Sequence, residues 1–149
     1  MFRTSDTRIV GYEPLLAPAA LLDELPLGDK AAATVERTRA EVKRVLAGED
    51  DRLLVIAGPC SVHDPVAALD YAGRLAAQRD QHVADLLIVM RVYFEKPRTV
   101  TGWKGLINDP GMDGRHDVHR GLRIARRLLL DTIALGLPVG CEWLDPITP

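Results

Sequence analysis

The residue pattern predicts an α/β protein built on a parallel sheet, and three observations carry that expectation. Leu53-Leu54-Val55-Ile56-Ala57 and Leu86-Leu87-Ile88-Val89-Met90 are short runs apolar on both faces, as in strands inside a sheet. Segments of helical periodicity separate these runs from each other and from a third apolar piece, Leu137 to Trp143, giving the order βαβαβ. Right-handed crossovers between successive strands then make the sheet parallel.

Before the first strand, Pro14, Pro18 and Pro26 interrupt an apolar stretch containing Leu15, Leu16, Leu21, Leu22 and Leu25. Proline at that density breaks one long helix, so the spacing predicts an extended arm with a short helical turn around Ala19 to Glu24. From Ala31 to Ala47 the residues Val35, Val42, Val45 and Leu46 recur near helical spacing among charged residues, and Gly48 supplies the stop. The first strand ends in Gly58-Pro59. Asp64-Pro65 then opens a helix running to about Asp80, with Asp as N-cap and Pro at the first helical position. After the second strand comes a glycine-rich loop, Gly102 to Gly114, and a helix from Val118 to Leu135 closed by Gly136. Tyr71 and Trp143 are expected to pack rather than to stack on a ligand.

Composition narrows the function classes. The 149 residues carry a formal charge of -2 and 47% hydrophobic side chains, which suits a globular domain and gives no field favouring nucleic acid or an anionic membrane. The sequence holds neither an apolar run of signal-peptide length near Met1 to Gly11 nor the ~20 apolar residues that span a bilayer, so the expected compartment is the cytoplasm. Cys60 and Cys141 make no disulfide framework. The expected partners are small molecules.

A doubly wound sheet and a (β/α)₈ barrel share the βαβαβ order, and both put their chemistry at the C-terminal ends of strands. At the first such end, Cys60 and His63 stand three positions apart just before a helix N-terminus, a setting that favours the thiolate. The plain alternative is a small apolar cysteine beside a loop histidine. At the second end, Arg91, Lys96, Arg98 and Thr99 offer fork-shaped, point-charge and neutral donors suited to a doubly anionic substrate. A solvated charged loop is the competing reading, although Arg and Lys directly off an apolar strand would then be poorly placed. The loop 101–110 sets Trp103 and Lys104 between glycines as a substrate wall, and it fits neither a Walker A nor a dinucleotide-binding pattern. Glu142, at the third strand end, suits a general acid/base, a positioning or a structural role, and Asp145 is equally open.

Taken together, Gly-Pro-Cys-Ser-Val-His-Asp-Pro (58–65), Met-Arg-Val-Tyr-Phe-Glu-Lys-Pro-Arg-Thr (90–99) and Gly-Trp-Lys-Gly-Leu-Ile-Asn-Asp-Pro (102–110) resemble the class I 3-deoxy-D-arabino-heptulosonate-7-phosphate synthases. Arg8-Ile9, Asp51-Arg52-Leu53-Leu54, Gly121 to Arg126 and Leu144 to Pro149 extend the resemblance over nearly the whole chain. The resemblance implies a (β/α)₈ barrel with an N-terminal extension at 1–48, and with its first three strands and two helices in 49–149.

It also implies the reaction. C3 of phosphoenolpyruvate attacks the aldehyde carbon of erythrose 4-phosphate, water adds at C2, and phosphate leaves with cleavage of the C–O bond, the first step of the shikimate pathway to aromatic amino acids. By the same resemblance Cys60 is a ligand of one divalent metal (Mn, Fe, Co or Zn), completed by a His, a Glu and an Asp from later strands. Arg91 and Lys96 bind phosphoenolpyruvate, the ammonium of Lys96 also stabilising oxyanion charge, while Lys96-Pro97-Arg98-Thr99 holds erythrose 4-phosphate and Glu142 belongs to the substrate-binding set. The arm from Arg8 to Pro26 and the segment Asp145 to Pro149 fall in regions that form an effector pocket for a feedback-inhibiting aromatic amino acid and the contacts of a homo-oligomer. Arg115-His116 and Cys141 depart from the family pattern.

A barrel needs roughly 250 residues, so the chain is expected to lack the later ligands and to be inactive and poorly soluble alone, its open sheet exposing apolar edges. The alternative function is a non-catalytic module that binds phosphometabolites or a partner. A third reading, with arabinose 5-phosphate as substrate as in the related octulosonate synthases, is opposed by Lys-Pro-Arg-Thr.

Overall fold

A computed structural model describes residues 5–9, 11–98 and 100–144. Helices α1 (Pro18–Glu24) and α2 (Asp29–Ala47) precede β1 (Leu53–Ala57), α3 (Pro65–Gln81), β2 (Leu86–Arg91), α4 (Val118–Ala134) and β3 (Val139–Gly140). The sheet is parallel in the order β1-β2-β3. Leu53 lies opposite Leu86 and Ala57 opposite Met90, so the strands run level and Cys60 emerges beside the end of β2.

Local chemistry accounts for the boundaries. Pro65 starts α3 and Asp64 caps it, its carboxylate accepting the N–H groups of Val66 at 2.9 Å and Ala67 at 3.3 Å. Gly48 ends α2 with φ 72°, a left-handed conformation that costs glycine nothing. At the turn into β1, Arg52 reaches Asp50 at 2.7 Å and Glu41 at 3.1 Å, tying α2 to the strand. The guanidinium holds the Asp50 carboxyl down at about 2.

The core lies between the sheet and the helices α3 and α4, where Ala72, Met90, Val92 and Leu137 are fully enclosed. The small alanines of α3, Ala68, Ala72 and Ala76, let that helix sit close on β2. The edge strand β1 is the open part of the sheet: Leu53 is 66% and Ile56 62% exposed, one on each face, whereas Leu87 to Met90 of the central strand β2 are buried on both. Gly121 in α4 is packed against the loop carbonyl of Ile107, where a Cβ would stand 2.0 Å from the oxygen.

Three expectations change. The helix placed at Ala31 to Ala47 begins at Asp29, because Gly28 is extended and its carbonyl already accepts the Ala32 N–H at 2.9 Å. The third strand, expected from Leu137 to Trp143, pairs only at Val139 and Gly140, since Pro138 has no N–H to give and the chain turns away after Gly140. Tyr71 and Trp143, expected to pack, are exposed, Trp143 by 79%. Among the described residues no helix is long and apolar enough to cross a membrane.

Candidate active site

The parallel register brings two strand ends together. The Val62 N–H donates to the Tyr93 carbonyl at 2.8 Å, carrying the β1–β2 seam past the ladder and fixing the 58–62 loop against the exit of β2. At Gly58 the approach is so close that a Cβ would meet the Arg91 carbonyl oxygen at 2.2 Å, so glycine is required there. Arg91 Nη2 donates to the Cys60 carbonyl at 3.2 Å, and its guanidinium lies over the Tyr93 ring, 3.9 Å from the centroid. Lys96 Nζ reaches the Cys60 sulfur at 3.0 Å.

That contact sets the ionisation of Cys60. The Lys96 ammonium beside the thiol holds its pKa below the ordinary value, with Arg91 adding a smaller push in the same direction. Cys60 is exposed and unpaired, an accessible sulfur that could serve a soft or borderline metal. Among the described residues no three of His, Cys, Asp and Glu converge on a point that could hold a metal ion. Cys60 could supply one ligand of such a set, and the described residues do not complete it.

Cys60, His63, Lys96, Trp103, Lys104 and His116 share a cavity of about 660 Å³. Its cations, with Arg98 beside Gly102, suit an anion. The 102–109 loop is anchored rather than loose. Glu95 and Gly105 form an antiparallel bridge, the Lys96 N–H donates to the Lys104 carbonyl at 3.0 Å, and Trp103 Nε1 donates to the Asp109 carbonyl at 2.8 Å. Asn108 Nδ2 donates to Glu95 Oε1 at 2.9 Å. Gly105 at φ 111° has no room for a side chain, because a Cβ would lie 2.0 Å from the Phe94 carbonyl oxygen.

The sequence-derived residues therefore divide. Cys60, Arg91 and Lys96 form one cluster, and Arg98 sits at its edge with Nε 3.4 Å from the Trp103 carbonyl, next to exposed Pro97. Glu142 lies behind them, its Oε1 accepting from the N–H groups of Phe94 and Glu95. Thr99, Asp145 and Pro149 fall outside the described residues. Asp109 falls in the loop expected as a substrate wall, while sequence reasoning did not foresee Met112 and His116 beside it. Met112 and His116 take left-handed backbone, φ 50° and 55°, which residue type does not announce for methionine.

Comparison with known proteins identifies the family and the fold. The profile of the DAHP synthetase I family matches residues 29–149. The phospho-2-dehydro-3-deoxyheptonate aldolase of Amycolatopsis methanolica is 60% identical over 142 residues, 95% of this chain and 70% of that protein. The Phe-sensitive enzyme of Escherichia coli K12 is 55% identical over 148 residues, 99% of this chain and 42% of that protein. The solved structure of the Francisella tularensis SCHU S4 phospho-2-dehydro-3-deoxyheptonate aldolase superimposes with a TM-score of 0.91 at 47% identity, over 95% of this chain and 41% of that one. The chain thus spans about two fifths of the length of the latter two.

Proposed function

The chain belongs to the DAHP synthetase I family, and from that premise we propose that it carries the phosphoenolpyruvate-binding part of a 3-deoxy-D-arabino-heptulosonate-7-phosphate synthase. The observation that carries the reading is the Lys96 ammonium 3.0 Å from Cys60, with Arg91 locked to the same loop. In the proposed enzyme the three parallel strands are the first three of a (β/α)₈ barrel, with their C-terminal ends at its catalytic mouth.

Arg91 and Lys96 would hold the carboxylate and phosphate of phosphoenolpyruvate, and the Lys96 ammonium would meet charge developing on oxygen as C3 forms the new bond. Arg98, with Thr99, would hold the phosphate of erythrose 4-phosphate. Cys60 would serve as thiolate ligand to one divalent ion, Mn, Fe, Co or Zn, and such an ion, when bound, polarises a carbonyl oxygen. The protein's own contribution is to shift that thiol toward its ionised form and to aim Lys96.

The Escherichia coli relative is named Phe-sensitive, which supports feedback by an aromatic amino acid in the whole protein, with Asp145 and Pro149 in the effector region. The proposal sets the enzyme in the cytoplasm, acting on small phosphorylated metabolites as a homo-oligomer.

Isothermal titration of phosphoenolpyruvate into the chain, alongside Lys96→Met and Arg91→Met, tests the reading. Each variant should weaken binding by about tenfold or more, the scale of one lost hydrogen bond to a charged group. Binding that both variants leave intact would sink it.

A further inference from the structure

The geometry points to Glu142 as a positioning residue that holds the exit of β2 in the bend from which Lys96 reaches Cys60. The ligand in this inference rests on the proposed function; the bend does not.

The last main-chain bond between β2 and the β3 segment runs from the Val92 N–H to the Gly140 carbonyl at 2.9 Å. Beyond it the ladder stops while the chain stays inside, for Phe94 is 3% and Glu95 8% exposed. Amides buried there need acceptors that solvent cannot supply. A single carboxylate oxygen, Glu142 Oε1, accepts both, from Phe94 at 2.6 Å and from Glu95 at 2.5 Å. The next amide, Lys96, is held by the Lys104 carbonyl at 3.0 Å, and the side chain of Lys96 then spans to the Cys60 sulfur.

Three consecutive N–H groups are thus pinned, two of them by one side chain whose own backbone lies two residues past Gly140, the last residue paired with β2. Asn108 steadies the Glu95 side chain from the other direction. Glu142 therefore acts on the substrate site through Lys96, by fixing the peptide that presents it. This role depends on an acceptor oxygen at the reach of a glutamate stem, whereas general-base or direct ionic chemistry depends on the carboxylate charge.

That distinction gives the test. Glu142→Gln keeps length and acceptor but removes charge, Glu142→Asp keeps charge but is one methylene short, and Glu142→Ala removes both. In the 149-residue chain, amide hydrogen exchange read individually at Phe94 and Glu95 is compared with phosphoenolpyruvate affinity by titration, with thermal melts reporting global stability. Glu142→Ala and Glu142→Asp should speed exchange at both amides and weaken affinity, each by about tenfold or more, while Glu142→Gln stays within about threefold of the parent. Should Glu142→Ala fail to fold, the Gln and Asp variants alone decide. Asp matching the parent while Gln fails would show that charge is what counts and overturn the inference, as would unprotected Phe94 and Glu95 amides in the parent chain. Absent phosphoenolpyruvate binding with the exchange pattern intact would instead remove the proposed function and leave the clamp standing.

Discussion

Cys60 and Cys141 follow the ends of two strands of one parallel sheet, β1 and β3, yet they meet opposite surroundings. Both are unpaired and keep an exposed edge. Cys60 faces the Lys96 ammonium across 3.0 Å, and its thiol is pulled below its ordinary pKa. Cys141 lines an apolar groove of about 620 Å³ with Leu15, Leu21, Leu129 and Trp143, and desolvation there, followed by the charge of Glu142, pushes its thiol up to about 11. Topology delivers a side chain to the rim; the neighbour across the rim decides whether it is chemistry or packing.

The sharpest way to break this comparison is to alkylate both thiols at neutral pH and locate the label by peptide mapping. Cys60 should react on the order of 10²-fold faster than Cys141, because the thiolate is the nucleophile and Cys141 is almost wholly protonated. Equal rates would mean that the Lys96 contact is not formed. Lys96→Met then sharpens the point: it should slow Cys60 and leave Cys141 unchanged.

A smaller effect separates the glycines before the two cysteines. Gly58→Ala forces a Cβ to 2.2 Å from the Arg91 carbonyl oxygen, whereas Gly140→Ala meets only Val89 Cγ1 at 3.6 Å. Overpacking against a backbone atom should destabilise the first variant by about 1–3 kcal/mol or more, with the second within about 1 kcal/mol of the parent, measured by urea unfolding. Parity would show that the β1–β2 seam has slack.

The smallest expected effect lies at the opposite end of β1. Asp50, held at about 2 by Arg52, has a folded pKa below its ordinary value. Its contribution to stability is therefore present above the unfolded pKa, near 4, and is lost as pH falls through about 2. Asp50→Asn should flatten that acid limb in a urea series across pH while leaving both thiol rates untouched. A change in Cys60 reactivity would mean that the two ends of β1 are coupled.

Much of this arrangement was legible in the residues. The two-sided apolar runs marked β1 and β2, Asp64-Pro65 marked the start of α3, and Cys60, Arg91 and Lys96 fell at strand ends where chemistry collects. What escaped is long-range. Periodicity cannot say that β3 pairs at two residues only, nor that the Glu142 side chain, 48 and 47 positions along, replaces the missing ladder acceptors for Phe94 and Glu95. Aromatic character misled for Trp143, because apolarity states a preference for burial and not the presence of a cover. The cavity wall was hidden for a different reason: Met112 carries no sign that its backbone is left-handed.

That wall has a consequence in stereochemistry. Met112, Gly114 and His116 alternate through the left-handed region, at φ 50°, 74° and 55°. An L-residue there sets its Cβ against its own carbonyl, while the mirror-image residue prefers that conformation. Around Gly114 nothing lies within 4 Å of an added L-side-chain carbon, so space does not restrict the position; chirality does. In a chain assembled by chemical ligation, a D-alanine would suit position 114 better than its natural enantiomer, and the rim of the cavity is thus a place where handedness, rather than size or polarity, sets which monomer belongs.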